Sequence, residues 1–157
     1  MIEDSTDAER NLIGLGIGLP EAPAPFGAYV PALQTGSLLF LSGMLATVGH
    51  TPTLVGILGK DLDIEAGRAA ATTAALNVLS STKMQLGSLN RISRIVRLGV
   101  WVAATPEFTE HPKVADAASE LLREVFGEGA VPTRLVIGAA SLPLGSPVEL
   151  EVILEVR

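Results

Sequence analysis

Two stretches of the chain alternate between apolar and other residues, which predicts β-strands. The first covers residues 92–103, where Val96, Leu98, Val100 and Val102 alternate with Ile95, Arg97, Gly99 and Trp101. The second covers residues 148–156, with valine or leucine at every second position. We expect this valine-leucine face to pack against helices. The opposite face must meet solvent or a neighbouring subunit, and it carries Glu149, Glu151, Ile153 and Glu155.

Two further stretches have apolar residues at helical spacing. One begins after Asp63, a suitable N-cap, and runs to about Met84, with Gly87 beyond its end. The other has Pro112 in its first turn and Gly127 after its last. The apolar positions are Ala70, Ala74, Leu76 (with Ala75), Val78 and Leu79 in the first, and Val114, Ala117, Ala118, Leu121, Leu122 and Val125 in the second.

The remaining segments complete the predicted order. Residues 5–15 are a short helical or frayed lead-in, and residues 28–33 and 38–42 are strands joined by a turn at 34–37. Pro31 indicates an edge strand or an irregular entry into the first strand. Residues 47–53 form a loop, residues 54–58 a short extended stretch, and residues 135–140 a strand. The order β-β-(β)-α-β-α-β-β predicts an α+β fold, in which two helices cover one face of a mixed sheet. We expect a single domain over residues 1–157, with residues 1–25 as an N-terminal extension.

Composition adds limits on partners. The chain has 157 residues, is 48% hydrophobic and has a mean hydropathy of +0.43, which favours a homo-oligomer that covers apolar surface. It contains no cysteine, which excludes disulfides and thiolate chemistry. No apolar run is long enough for a membrane span, and the acidic N-terminus lacks the features of a secretion signal. We therefore expect no membrane partner and a cytoplasmic location.

Charge and motif patterns exclude other functions. The net charge is −6 and basic residues are scattered, so nucleic acid is not expected as a partner. Arg91, Arg94 and Arg97 are spaced by three, and a regular strand would divide them between two faces. His50 and His111 are too isolated to predict a metal site. The glycines of residues 14–18 have the wrong spacing for a dinucleotide loop, so we expect a turn there and no cofactor.

Arg134 and Glu149 are the strongest candidates for chemistry. Arg134 lies in a short apolar strand, and Glu149 opens the next strand after a turn. A guanidinium group can hold a carboxylate with two parallel hydrogen bonds, and a carboxylate can orient or deprotonate a water. The alternatives are a surface arginine paired with an acidic neighbour, and a glutamate as fully solvated as Glu151 and Glu155.

Three stretches, in this order along the chain, resemble the RidA family, also called YjgF or reactive intermediate deaminase. They are Tyr29-Val30 with Leu41-Ser42-Gly43, then Pro132-Thr133-Arg134, then Leu142-Pro143 with Val148-Glu149-Leu150-Glu151. The resemblance implies a chorismate mutase-like fold, assembled as a homotrimer with a site in each cleft between subunits. It also implies hydrolysis of 2-imino acids, or enamine tautomers such as 2-aminoacrylate, to 2-keto acids and ammonia.

Residue roles follow from the same resemblance. It implies that Arg134 holds the carboxylate of a small metabolite and that Glu149 positions the attacking water, without a cofactor or metal. Tyr29, Ser42 and Gly43 match pocket residues, although either hydroxyl could instead be bonded to the backbone. Asp116 falls where many members have a pocket-facing asparagine, and the alternative is a helix surface residue. Trp101 shares a strand face with Arg97 and Gly99, so we expect it in the core or at a subunit interface, with ligand stacking as the alternative.

Some positions depart from the family pattern. Met44 replaces a frequent glutamine, Val136 replaces a frequent cysteine, and Asp116 adds negative charge. These departures leave the identity of the substrate open. They also keep a second hypothesis, a non-catalytic module that binds a small carboxylate and regulates a partner. Endoribonuclease activity, attached to some relatives, is disfavoured because the chain is acidic.

Overall fold

The computed structural model describes residues 7–157. The helices are α1 (Ala8–Gly14), α2 (Ile64–Leu86) and α3 (His111–Phe126). The strands are β1 (Ala32–Thr35), β2 (Leu38–Leu41), β3 (Met44–Leu45), β4 (Thr47–Val48), β5 (Thr51–Pro52), β6 (Ile92–Ala103), β7 (Thr133–Ala139) and β8 (Val148–Val156). This is a mixed α+β fold, as the order of elements predicted.

The main sheet has the order β1-β2-β8-β6-β7, and β3 pairs with β8 beside β2. Only β6 and β7 are parallel, and α3 makes the connection between them. The central strand β8 runs antiparallel to its neighbours β2, β3 and β6. This topology places β7 at one edge of the sheet, next to α3, and β1 at the other edge.

Helices α2 and α3 pack on the same face of the sheet, as predicted. The Asp63 side chain accepts a hydrogen bond from the N–H of Ala66 at 2.8 Å, which caps α2, and Gly87 ends this helix with a φ of +83°. The side chains of Ala70, Ala71, Ala74 and Ala75 are fully buried, so α2 can approach the sheet closely. Helix α1 adds Ala8 and Leu12 to the same core and contacts α3.

The face predicted for β8 is confirmed, because its valines and leucines are buried and point toward the helices. The prediction for β6 is partly wrong. Pairing with β8 shifts register between Ile92 and Arg94 and again between Ile95 and Arg97. Each β-bulge inserts one extra residue and reverses the alternation. Ile95 is therefore buried with Leu98, although the simple pattern placed it on the opposite face.

The bulges also correct the prediction for the arginines. Arg94 lies opposite Glu155 and Arg97 lies opposite Ile153, so both arginines share the face of β8 that the helices do not cover. The guanidinium Nε of Arg94 is 2.8 Å from a carboxylate oxygen of Glu155. Arg91 precedes the strand in a short turn of 3₁₀ helix.

Several predictions in the N-terminal third need correction. The first strand covers Ala32–Thr35 instead of residues 28–33, because residues 26–29 form a bend before Pro31. Residues 47–52 form the small hairpin β4–β5 instead of a loop, and residues 54–58 contain no strand beyond an isolated bridge at Leu58. The predicted lead-in is helical over Ala8–Gly14, and residues 5 and 6 lie outside the described residues.

The other face of the main sheet is partly apolar and has no helix over it. Its exposed large side chains come from four strands: Leu33, Phe40, Trp101 and Leu135. Trp101 lies on this face, as expected, beside Glu149. No helix within residues 7–157 has the length and hydropathy required to cross a membrane.

Candidate functional site

A cavity of about 430 Å³ opens beside the start of β8. Most of its wall is apolar and comes from Phe26, Leu45, Pro143 and Leu144. Its polar lining consists of Tyr29, Ser42 and Glu149, with the backbone of Gly43 between them. The structure therefore brings four residues singled out in the sequence, Tyr29, Ser42, Gly43 and Glu149, to one place.

Glu149 is the ionisable group of this cavity. Its position on β8 is fixed by pairing with Leu45 of β3 on one side and Trp101 of β6 on the other. The side chain is half-buried, and burial raises the pKa of the Glu149 carboxyl above its ordinary value of 4.5. A carboxylate with a raised pKa in a cleft is suited to accept a proton and return it.

The Glu149 side chain packs directly against the backbone of Gly43. A Cβ atom at position 43 would overlap Oε1 of Glu149 and would lie 3.1 Å from its Cδ, a tight contact. The obstructing atoms belong to the end of a flexible side chain, so a substitution would displace the carboxylate without breaking the sheet. This contact explains why glycine suits the position.

We expect Gly43→Ala to displace the Glu149 carboxylate, and any activity that depends on this carboxylate should lose at least about tenfold in kcat/KM, because a shift of about 1 Å in a reacting group has effects of this size or larger. The thermal unfolding midpoint should change little. Steady-state kinetics and a melting curve check both statements. Gly18→Ala is the matched control, because nothing lies within 4 Å of a Cβ there. Full activity in Gly43→Ala would show that the position of Glu149 is unimportant.

The segment before β1 forms the outer wall of the cavity. The Tyr29 hydroxyl accepts a hydrogen bond from the N–H of Phe26 at 2.9 Å, and the Ser42 hydroxyl donates to the carbonyl of Val30 at 2.6 Å. Both hydroxyls are thus bonded to the backbone, as one alternative predicted, while both side chains also line the cavity. His50 stabilises the wall, since its ring stacks on Phe26 at 4.3 Å and its Nε2 is 3.0 Å from the carbonyl of Ala24.

Arg134 lies at the start of the edge strand β7 and contacts α3. Its Nη1 donates to Oδ1 of Asp116 at 2.8 Å and to Oγ of Ser119 at 3.0 Å. Asp116 and Ser119 are three residues apart on the helix and therefore share a face. The Arg134 side chain is 27% exposed, so this arginine does have the acidic neighbour that one interpretation of the sequence predicted.

Arg134 and Glu149 lie on opposite faces of the sheet within one chain. Arg134 is in register with Leu98, which is in register with Val152, and both partners face the helices. Glu149 is in register with the exposed Trp101 on the other face. The structure thus joins Arg134 to Asp116, and Glu149 to Tyr29, Ser42 and Gly43, but it does not join these two groups in a single chain.

Sequence reasoning missed four contributors to these two groups: Phe26, Leu144, Ser119 and His50. Ser119 could have been found from its i+3 spacing to Asp116. Leu144 could not, because its φ of +60° is a left-handed conformation that apolar residues rarely adopt. This conformation, in the turn before β8, belongs to the cavity wall.

The two histidines are separate from each other and from Glu149. His111 is the first residue of α3, and its ring meets the ring of Phe108 edge to face at 5.1 Å. Across residues 7–157, His, Asp and Glu side chains form no group of three or more that could hold a metal ion. Gly14 ends α1, and residues 15–18 follow it as a turn and irregular chain, as predicted.

The chain is similar to known proteins over most of its length. The family described as "YjgF/chorismate_mutase-like, putative endoribonuclease" matches residues 9–156. Protein TCP17 of Trypanosoma cruzi is 41% identical over 148 residues, covering 94% of this chain and 92% of the relative. A 2-iminobutanoate/2-iminopropanoate deaminase of Dermatophagoides farinae is 29% identical over 141 residues, covering 90% of this chain and 95% of the relative.

Solved structures share the fold. The crystal structure of protein Atu1372 from Agrobacterium tumefaciens, described as having unknown function, superimposes with a TM-score of 0.86 at 36% identity. The match covers 97% of this chain and 93% of that one. The mixed sheet with helices on one face is therefore the fold of these relatives as well.

Proposed function

Because this chain belongs to the YjgF/RidA family, which includes imine deaminases, we propose that it hydrolyses 2-imino acids or their enamine tautomers to 2-keto acids and ammonia. The observation that carries the proposal is Glu149, a half-buried carboxylate with a raised pKa in the wall of a largely apolar cavity. A cavity of about 430 Å³ is large enough for a small metabolite.

In this proposal, Arg134 binds the substrate carboxylate, and Glu149 activates the water that attacks the imine carbon. The two groups come from different copies of the chain, because one chain holds them on opposite faces of its sheet. We propose a homotrimer with a site in each cleft between subunits. The uncovered apolar side chains Leu33, Phe40, Trp101 and Leu135 support burial of this face against other copies.

The chemistry needs only water and a base. Glu149 takes a proton from a water molecule while the water oxygen bonds to the imine carbon, and the C=N π electrons move to nitrogen. Glu149 passes this proton to the nitrogen, which gives a neutral carbinolamine. Glu149 then takes the hydroxyl proton of the carbinolamine and delivers it to the nitrogen as the C=O bond forms and the C–N bond breaks, so the nitrogen leaves as ammonia. Tyr29, Ser42 and the backbone at Gly43 line the space around the reacting atoms.

The proposal is tested by supplying imines generated by an amino acid oxidase and measuring the release of keto acid in the presence of a trapping amine. The protein should accelerate release in proportion to its concentration, and light scattering should give the mass of a trimer. Release at the uncatalysed rate for imines of several side-chain sizes would contradict deaminase activity.

A non-catalytic carboxylate-binding module is the second candidate. It is favoured by the existing pair between Arg134 and Asp116, which satisfies part of the guanidinium before any ligand arrives. Binding of 2-keto acids without hydrolysis of any imine would establish this function instead. RNA cleavage, which the family description also names, is tested in parallel, and we expect none because the net charge is −6.

A further inference from the structure

Asp116 and Ser119 together occupy one end of the Arg134 guanidinium group. Nη1 carries two hydrogens and has two acceptors, Oδ1 of Asp116 at 2.8 Å and Oγ of Ser119 at 3.0 Å. Nη1 is the terminal nitrogen on the Cδ side of the group. The end-on edge formed by Nη1 and Nη2 is therefore not available to a ligand carboxylate.

Within the described residues, the edge of the Arg134 guanidinium formed by Nε and Nη2 remains free for a bidentate contact. Within residues 7–157, Nε and Nη2 of Arg134 make no hydrogen bond, and their N–H groups point in parallel along the side of the planar fork. A ligand carboxylate would bind there in one orientation only. Asp116 and Ser119 thus fix both the rotamer of Arg134 and the edge that it presents.

Asp116 also lowers the net positive charge that Arg134 presents to a ligand. Its carboxylate balances the guanidinium, so the attraction for a ligand carboxylate comes mainly from two hydrogen bonds. Glu149 adds a further negative charge when it is ionised. In addition, the part of the chain that the structure describes places no Lys, Arg or His in the lining of the Glu149 cavity.

We infer that Asp116 is a positioning and specificity-determining residue, which restricts the site to ligands with a single carboxylate and an uncharged, apolar side chain. A second carboxylate would enter an apolar cavity whose only ionisable groups are acidic or a phenol. Arg123 lines the groove at Asp116 and Ser119, where its charge is paired with Glu128, but the described lining of the Glu149 cavity contains no cation. A second carboxylate inside that cavity would therefore meet negative charge without a local cation in compensation. This inference depends on the proposed carboxylate site, but not on catalysis.

Binding of stable 2-keto acids tests the inference without any turnover. Titration calorimetry compares 4-methyl-2-oxopentanoate, which has one carboxylate, with 2-oxoglutarate, which has two. The wild-type chain should prefer the first. Asp116→Asn keeps the shape and a carbonyl acceptor for Nη1 but removes the charge, and it should improve the relative affinity for 2-oxoglutarate by about fivefold at low salt, with a smaller gain at high salt.

Two further variants separate charge from structure. Ser119→Ala removes one acceptor without a change of charge, so it should weaken both acids equally and leave their ratio unchanged. Glu124→Gln removes one negative charge from the exposed part of α3, away from Arg134, and should alter neither affinity.

The outcomes divide clearly. An unchanged ratio in Asp116→Asn, or a preference of the wild-type chain for 2-oxoglutarate, would overturn the inference. Failure of the wild-type chain to bind either acid would overturn it together with the carboxylate site. If the ratio shifts as expected but no imine is hydrolysed, the specificity role stands and the proposed deaminase activity fails.

Discussion

Arg134→Ala will lower kcat/KM for imine hydrolysis by roughly 10²- to 10³-fold, the range found when a group that holds and polarises the substrate is removed. In the proposed site, this variant lacks the bidentate contact with the substrate carboxylate that would place the imine carbon against the water held by Glu149. Arg134→Lys should recover little, because an ammonium group cannot provide two parallel hydrogen bonds. Coupled-assay kinetics and keto-acid binding check both variants.

Arg134→Ala should lose activity without unfolding. Arg134 and Asp116 are partly exposed, with side chains 27% and 47% accessible, and such ion pairs contribute little to stability. The control is Arg10→Ala on α1, which removes an exposed arginine whose ion-pair partner is Asp7. Retention of full activity by Arg134→Ala, with the control also active, would remove Arg134 from the site.

Glu149→Gln will lower kcat by roughly 10²- to 10⁴-fold, the usual contribution of general acid–base catalysis. Glutamine fills the same space above Gly43 but cannot accept the proton from water. Binding of a 2-keto acid should be retained, so this variant separates chemistry from recognition. Glu151→Gln is the control, because Glu151 lies two residues along the same strand and on the same face, opposite Gly99.

The same residue predicts the acidic limb of the pH profile. A general base works when it is deprotonated, and burial raises the pKa of Glu149 above 4.5, so kcat/KM should fall as pH decreases through that raised pKa. The midpoint should therefore lie above the value of a solvated glutamate. Glu149→Gln should abolish this limb along with the activity, while an unaltered limb in residual activity would assign it to another group.

The stability of the folded protein should depend on pH in the opposite direction to its activity. A carboxyl whose pKa is raised in the folded state binds its proton more tightly there than in the unfolded chain. Its contribution to stability is therefore present at low pH and is lost as pH rises from the unfolded pKa through the folded one. At neutral pH, Glu149→Gln should melt at the same temperature as wild type or slightly higher, which a pH series of melting curves can measure.

Periodicity predicted the elements that are regular and failed where the chain departs from regularity. The bounds of β6 and β8 and the start of α2 at Asp63 follow from alternation and capping. The bulges in β6 leave no mark in the pattern of polar and apolar residues, so the burial of Ile95 was missed. Residues 27–30 have strand-like composition, yet the bend before Pro31 is set by contacts such as the bond between Tyr29 and Phe26.

The candidate site was likewise predicted in part, and the part that was missed depends on tertiary contacts. Tyr29, Ser42, Gly43 and Glu149 lie together as the motifs implied. Strand pairing holds Glu149 in place, Ser42 and Gly43 link β2 to β3, and Tyr29 is placed by its hydrogen bond with Phe26. The partner of Arg134 depends on how α3 packs against the edge strand, which sequence spacing alone does not give. Ser119 is recognisable only once Asp116 is known to hold Arg134, and Leu144 depends on an unusual backbone conformation that no motif indicates.

The sheet that separates Arg134 from Glu149 has a genetic consequence. If each site takes its arginine from one chain and its glutamate from another, two dead variants can complement each other. Refolding an equal mixture of Arg134→Ala and Glu149→Gln chains would then rebuild about one intact site in four, by random assortment of subunits. A recovery of that size, absent when the variants are refolded apart, would show that the working unit of this protein is the junction between chains.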